Sequence, residues 1–452
     1  VAFRSKGVLY PFDQFDLRFN RPDIILERLG YADPYLIRSY RRAYEKRLRK
    51  MGLTEEELGT DMHLPEITAI NSDIPASVTT PNVSLHVKAQ DTTYPLHHMN
   101  LYVNDVPIYG TQGLAYGRNP PQTDERTLTV PLVPGRNKIQ ISVMNQQGAE
   151  SLRQTLYTVY NPDQVEQDLY LMAIGVSQYK NGAYNLRFAS KDAEDVIQSY
   201  QAAPQTWSRI HVHALTDEQA TRTNIENGKP WLMQSRPQDL VVIFAAGHGM
   251  TDPEANYYFG TYNINAADPS QNGLPYEKFE DLLDGIPALQ KVLLLDTCFS
   301  GEIDDDTPLP IEETPLANGQ RAQVMVRSFK PIRGISLVAD KTTNASIAGL
   351  TTDSIRFQQD WFADLRRGTG AAVISSSSGN EYSLEGPQWQ NGVFTYALLQ
   401  GITRYLADEN EDRQIMVSEL QAYVIDQVRE LTQGGQNPTV RRQNLAYDFA
   451  VY

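Results

Sequence analysis

Hydrophobic positions change their period twice along the chain. Between Pro34 and Met51, the residues Leu36, Ile37, Tyr40, Tyr44, Leu48 and Met51 recur at three- and four-residue spacings, which predicts an amphipathic helix. From Pro65 to Tyr160 the period drops to two. Val83–Val87, Met99–Val103, Thr127–Leu132, Lys138–Val143 and Leu156–Val159 are short alternating runs, separated by turn clusters such as Asn104-Asp105, Pro134-Gly135-Arg136-Asn137 and Gln147-Gly148. Strands that are apolar on one side only predict a two-sheet β-sandwich. From Asp168 onward the strand-like runs become longer and more continuously apolar: Leu169–Val176 and Leu240–Ala246 above all, with Ile210–Leu215, Lys291–Leu295 and Ala371–Ser375 as further strands. Helical periodicity falls between and after them, near Ala189–Tyr200, Asn224–Gln234, Tyr276–Leu283, Ile355–Arg366, Val393–Ala407 and Val417–Leu431. Continuous apolar strands need cover on both faces, so this part is expected to be an α/β domain with a mostly parallel sheet between helices. The expected boundaries are 1–64 for an N-terminal helical and extended segment, 65–162 for the β-sandwich and 168–452 for the α/β domain. No internal repeat is evident.

Bulk properties narrow the classes. At 452 residues the chain exceeds one ordinary domain, and 41% apolar residues suffice for several cores. No run approaches the roughly 18 apolar residues of a membrane span. The chain opens on Val1-Ala2-Phe3-Arg4, without an initiator Met or a signal-like apolar stretch, and is expected to be a fragment or a processed product. With no targeting signal, a cytoplasmic location is the expectation. A net charge of −15 excludes nucleic acid as the main partner. The helix at 34–51 carries Arg38, Arg41, Arg42, Lys46, Arg47, Arg49 and Lys50 on its polar face. That face reads as solvated, or as a docking surface for an acidic part of the same chain, rather than as a nucleic-acid or membrane patch. His97-His98 is a candidate metal pair, but adjacent residues on a strand point to opposite faces, so an incidental surface pair is expected and no metal ligand is assigned. Cys298 is the only cysteine, which excludes intrachain disulfides and cysteine-based zinc sites.

Two motifs carry chemistry. One runs from Asp239 through an apolar strand to Gly247-His248-Gly249. The other runs from Lys291 through an apolar strand to Asp296-Thr297-Cys298-Phe299-Ser300-Gly301. In an open parallel sheet, ligands bind beyond the carboxyl ends of the strands. If the two strands are neighbours, His248 and Cys298 emerge there together, and an imidazole beside a thiol lowers its pKa and makes it a nucleophile near neutral pH. Gly247 and Gly249 allow a sharp turn and leave an amide open to an oxyanion.

The pair lies 50 positions apart, and the sequence here resembles the caspase, metacaspase and paracaspase superfamily, in which the histidine precedes the cysteine by about that distance. The resemblance covers Asp168 to about Leu431. Leu171-Met-Ala-Ile-Gly175-Val-Ser-Gln-Tyr179 looks like the first strand and its turn. Leu186-Arg-Phe-Ala-Ser-Lys-Asp192-Ala193 is similar to the metacaspase segment that follows, and Gly392-Val-Phe-Thr395 to the start of a late helix. Ala246-Gly247-His248-Gly249 resembles the family's Ser-Gly-His-Gly, and Asp296-Thr297-Cys298-Phe299-Ser300-Gly301 the metacaspase Asp-x-Cys-x-Ser-Gly. The resemblance implies a caspase–haemoglobinase fold and peptide cleavage through an acyl-enzyme. Cys298 would attack, His248 would protonate the leaving amine, and the amides of Gly249 and Cys298 would hold the oxyanion. Phe299 and Ala189 depart from the metacaspase pattern, which usually has His and Cys there. The stretch Leu132–Gly148 separately resembles the closing strands of bacterial Ig-like modules, so the sandwich is expected to be Ig-like.

The resemblance also bears on specificity. Caspases hold an aspartate with Gln and Arg; this chain has Asp296 two residues before the cysteine, Asp192 at a second pocket position, and Glu381 and Glu385 after the Ser375–Ser378 run. An acidic pocket favours Arg or Lys and repels Asp. The partners expected are therefore peptides or proteins with basic cleavage residues. The long stretch after the nucleophile, residues 299–335, reads as an activation-type loop without obvious structure. Within it Arg321, Arg327, Lys330 and Arg333 are processing-site candidates. Its acidic run, Glu302–Glu313, is a candidate for Ca²⁺ but lacks an EF-hand pattern, and no cofactor is required by a Cys-His dyad. The N-terminal regions are expected to recruit or restrain the peptidase domain, or to contact a regulatory partner. A non-proteolytic signalling scaffold on the same fold is the alternative.

Overall fold

The computed structural model describes residues 2–5, 7–30, 34–70, 74–203, 206–252, 256–297, 312–315, 321–326, 368–377, 383–441 and 447–452. The β region is a sandwich. Glu66–Ala69, Asn82–Gln90 and Thr123–Pro131 form one antiparallel sheet. In the other, Gly135–Asn145 lies between Leu96–Val103 and Gln154–Tyr160. Alternation along Asn82–Gln90 buries Val83, Leu85, Val87 and Ala89, which share one core with Leu101, Ile139 and Ile141 of the facing sheet. Asn104 and Asp105 both adopt positive φ, 53° and 66°, as a two-residue hairpin turn requires.

His97 and His98 depart from the expected alternation. Met144 pairs with His98 but Asn145 pairs with Leu96, so His97 is the extra residue of a β-bulge. The bulge lets the two imidazoles meet, Nδ1 to Nδ1 at 2.6 Å, and His98 is fully buried. His97 is half-buried beside Gly52 of the N-terminal segment, so the pair is not an incidental surface feature. Among the described residues, no cluster of three or more His, Cys, Asp or Glu side chains could hold a metal ion.

The N-terminal segment contains the expected helix, Pro34–Met51, and a hairpin, Ala2–Ser5 with Val8–Pro11, that the periodicity does not reveal. Tyr44, Leu48 and Met51 pack with Leu17, Leu53 and the sandwich's Met144. The basic face of the helix is in part a docking surface: Lys46 pairs with Glu277 at 2.6 Å, and Lys50 with Glu280.

The α/β domain is a six-stranded sheet of β1 (Leu169–Gly175), β2 (Ile210–Thr216), β3 (Leu240–Gly247), β4 (Gln290–Thr297), β5 (Ala372–Ser375) and β6 (Thr439–Arg441), in the order β2-β1-β3-β4-β5-β6. All neighbours are parallel except β5 and β6. Helices α1 (Ala189–Gln201), α2 (Tyr276–Leu283), α3 (Val393–Thr403) and α4 (Val417–Leu431) stand close to the expected spans. The helix expected at 224–234 is two short ones, Arg222–Glu226 and Lys229–Leu232, broken at Asn227-Gly228. The helix expected at 355–366 lies outside the described residues. Alternation along β4 sorts its two faces. Lys291 reaches the carbonyl of Leu283 at the end of α2, whereas Asp296 meets Thr395 in α3. Helices therefore cover both faces of the sheet. The sandwich joins at the amino end of β4, where Leu289 is buried within the sandwich core and Asp284 accepts from the amide and hydroxyl of Thr111 at 2.9 and 3.0 Å. Among the described residues, no helix is long and apolar enough to cross a membrane.

Candidate active site

β3 and β4 are adjacent, in register from Leu240 opposite Gln290 to Gly247 opposite Thr297. The two chains thus leave the sheet level with each other at its carboxyl edge. The next residue after Gly247 is His248. The next after Thr297 is Cys298, which lies outside the described residues, as do Phe299 and Ser300. Thr297 itself is held on two sides. Its hydroxyl meets the Tyr257 hydroxyl at 2.7 Å, and its carbonyl accepts from the hydroxyls of Ser376 and Ser377 at 2.9 and 3.3 Å.

His248 is 5% exposed and fixed at several atoms. Its backbone N–H donates to the Tyr179 hydroxyl at 2.9 Å, and its carbonyl accepts from the Gly260 N–H at 2.8 Å. Its Nε2 stands 2.9 Å from the Tyr184 carbonyl. A carbonyl can only accept, so Nε2 carries the proton and Nδ1 is the basic nitrogen of the neutral ring. The Tyr179 ring lies beside the imidazole, with centroids 5.2 Å apart. Gly247 makes room for this arrangement, since a Cβ there would come within 3.1 Å of the Tyr179 hydroxyl and 3.2 Å of Phe259. Gly249 opens the short strand Gly249–Thr251, which pairs antiparallel with Tyr257–Phe259.

The carboxylates singled out by sequence converge on one part of the fold. Asp192, in the first turn of α1, accepts from the Asn391 amide at 2.8 Å and the Gly392 N–H at 3.2 Å. Glu385 is paired with Gly392 across the hairpin Leu384–Gly386 and Asn391–Gly392, and accepts from the Arg187 N–H at 2.8 Å. Asp296 accepts from the Ser383 hydroxyl at 2.7 Å and from the Thr395 hydroxyl at 2.6 Å. All three are 0% exposed. Glu381 lies outside the described residues.

The stretch expected to lack structure after Cys298 contains paired strands, Glu312–Pro315 and Arg321–Val326. Arg321 is the first residue of the second strand, whose far end pairs with Leu384 and Glu385. Arg327, Lys330 and Arg333, like the acidic run at 302–311, lie outside the described residues. Sequence reading did not find Tyr179, Tyr184, Tyr257, Ser383 or Asn391. Tyr179 closes the quoted β1 turn motif, and Asn391 directly precedes the quoted Gly392–Thr395, so proximity to those motifs was the available signal. Tyr184 acts through its carbonyl, which no sequence pattern marks.

Residues 170–450 match the family model for the caspase domain. No curated protein matches the chain. Among solved structures, protein GSU0716 from Geobacter sulfurreducens is 14% identical with a TM-score of 0.39, over 62% of this chain and 95% of its own. Caspase-1 from Spodoptera frugiperda is 11% identical with a TM-score of 0.35, over 62% of this chain and 90% of its own. The fibronectin(III)-like modules of CbhA from Clostridium thermocellum are 14% identical with a TM-score of 0.17, over 24% of this chain and 52% of theirs. At these scores the family assignment rests on the match over 170–450.

Proposed function

We propose, from the premise that this chain belongs to the caspase-domain family of cysteine peptidases, that it is an endopeptidase cutting after Arg or Lys through Cys298 and His248. The observation that carries the reading is the level exit of β3 and β4, Gly247 opposite Thr297, with a histidine next in one strand and the chain's only thiol next in the other. The fixed tautomer of His248 supports it, because a basic Nδ1 is the nitrogen available to a thiol once Nε2 is committed to the Tyr184 carbonyl.

In this mechanism the Cys298 proton rests on His248 Nδ1, and the thiolate adds to the substrate carbonyl carbon. The developing oxyanion takes hydrogen bonds from the amides of Gly249 and Cys298. Collapse breaks the C–N bond while Nδ1–H protonates the leaving amine. A water then gives its proton back to Nδ1 and attacks the thioester, releasing the acid and the free thiol.

Specificity for Arg or Lys is supported by the convergence of Asp192, Asp296 and Glu385. Three buried carboxylates around one segment favour a cation and disfavour another carboxylate. The same preference makes Arg321, Arg327, Lys330 and Arg333 the sites at which the chain would cut itself, within the stretch that family members rearrange on activation. A panel of fluorogenic peptides with Arg, Lys or Asp at the scissile position, assayed with wild type, Cys298→Ala and His248→Ala, tests this. Cleavage of the Arg and Lys members by wild type alone is expected. Preference for Asp would overturn the specificity, and activity retained in Cys298→Ala would overturn the dyad.

A further inference from the structure

The hydroxyl–hydroxyl bond between Tyr257 and Thr297 joins the end of β4 to the hairpin that follows His248. Tyr257 begins the strand Tyr257–Phe259, which pairs residue for residue with Gly249–Thr251, the segment immediately after His248. Gly260, one residue beyond that strand, donates to the His248 carbonyl at 2.8 Å. The hairpin is thus locked to the histidine at its start and at its end. Thr297 is the last residue of β4 and the covalent neighbour of Cys298. Both side chains are almost wholly buried, Tyr257 at 3% and Thr297 at 0% exposure, and their oxygens are 2.7 Å apart.

We infer that Tyr257 is a positioning residue for the dyad: its hydroxyl sets the height of the cysteine-bearing strand end against the histidine-bearing hairpin. The inference rests on the peptidase reading, since it supposes that position 298 works with His248. β3 and β4 are tied by backbone ladder from Leu240 opposite Gln290 to Gly247 opposite Thr297. Past Gly247 the β3 chain runs through His248 into Gly249–Thr251, which pairs with the strand that Tyr257 begins. The Tyr257–Thr297 bond ties that hairpin to the Thr297 end of β4, and the Ser376 and Ser377 hydroxyls hold the Thr297 carbonyl from the side of β5. A buried hydroxyl pair costs little when both members are present and much when one is left alone, so it fixes a relative position. Reacting groups must be held to within a fraction of an ångström, and a displacement of about 1 Å can cost about 100-fold in rate.

The single thiol makes the test direct, because alkylation by iodoacetamide reports on Cys298 alone. Full-length wild type, Tyr257→Phe, Thr297→Val, Thr297→Ser, the Tyr257→Phe/Thr297→Val double variant and His248→Ala are compared in peptide cleavage and in the pH profile of alkylation. The expected result for Tyr257→Phe and Thr297→Val is a kcat lower by roughly tenfold, a KM within about twofold of wild type, and an alkylation profile moved to higher pH. Thr297→Ser retains the hydroxyl and should stay near wild type. The double variant should be no worse than either single one, since both act through one bond. Tyr257→Phe with wild-type kcat and an unmoved alkylation profile overturns the inference while leaving the dyad intact. An alkylation profile that His248→Ala does not change overturns the dyad reading itself, and the inference with it. A thermal midpoint that falls while kcat and the profile stay put shows a purely structural bond and also overturns it.

Discussion

Lys291 donates from Nζ to the carbonyl of Leu283 at 2.9 Å, and to that of Thr369 at 3.2 Å, with its side chain wholly inside the protein. Burial pushes its pKa down to about 7 against an ordinary 10.5, with Asp284 opposing the shift and Lys229 adding to it. Between those two values the unfolded chain holds a proton that the folded chain has lost. This group therefore makes stability rise with pH across that window and contributes no slope below it. Urea unfolding of wild type and Lys291→Met at several pH values should show the difference between them changing by up to about 1.4 kcal/mol per pH unit above pH 7, in favour of wild type. A pH-independent difference would mean the lysine stays charged in the interior.

The contact between the N-terminal helix and α2 gives a second expectation. Lys50 meets the nearly buried carboxylate of Glu280, and Lys46 meets Glu277 at 2.6 Å. Burial pushes the Glu277 pKa up, but Lys46 and then Lys50 pull it below the ordinary value overall. Its contribution is present above the ordinary carboxylate range and is lost as pH falls through the folded-state value. Charge reversal by Lys50→Glu should cost about 1–3 kcal/mol, because Glu280 is left buried beside a like charge. The swapped pair Lys50→Glu/Glu280→Lys should recover most of it. Denaturant midpoints at low and high salt measure both; no recovery in the swap would assign the loss to packing rather than to charge.

What could be read from the sequence follows from the range of each interaction. Buried strands such as Leu240–Gly247 and the Val292–Leu295 stretch of Gln290–Thr297 announce themselves because their residues are apolar without a break, and the helix Pro34–Met51 because its period is local. His248 and Asp296 came with the motifs at the ends of those strands, and Asp192 with the motif at the start of α1. Features decided by pairing between distant segments were not legible. The bulge at His97 depends on how Leu96–Val103 registers against Gly135–Asn145. The Tyr257–Thr297 bond joins residues 40 apart in sequence and exists only because of the β3–β4 register. Lys291 looked like the polar boundary of an apolar strand, yet it is interior, because the backbone carbonyls of Leu283 and Thr369 wait for it there.

Gly247 is the tightest spot next to the histidine. Its φ of +158° and the 3.1–3.3 Å separations a Cβ would have from Tyr179 and Phe259 leave a methyl group nowhere to go without moving one of those rings. Tyr179 is the acceptor for the His248 N–H, so the displacement passes directly to the imidazole. Gly247→Ala is expected to lower kcat/KM by about tenfold or more, with circular dichroism unchanged. Full activity in Gly247→Ala would show that the Tyr179 contact does not set the ring position.

Asp296 separates the specificity proposal from general damage to the site. Its carboxylate sits between the Ser383 hydroxyl and the Thr395 hydroxyl and N–H, so Asp296→Asn keeps an acceptor oxygen while removing the charge. If the carboxylate recognises a cationic side chain, kcat/KM on Arg and Lys peptides should fall by about 100-fold. Alkylation of Cys298 should stay at the wild-type rate, because the dyad is not touched. Discrimination against Asp peptides should narrow at the same time, since part of it is repulsion by the lost charge. Asp192→Asn should act in the same direction. An equal loss on Arg, Lys and uncharged peptides would instead make Asp296 a brace between Ser383–Glu385 and α3, and the choice of basic residues would have to come from Asp192 and Glu385.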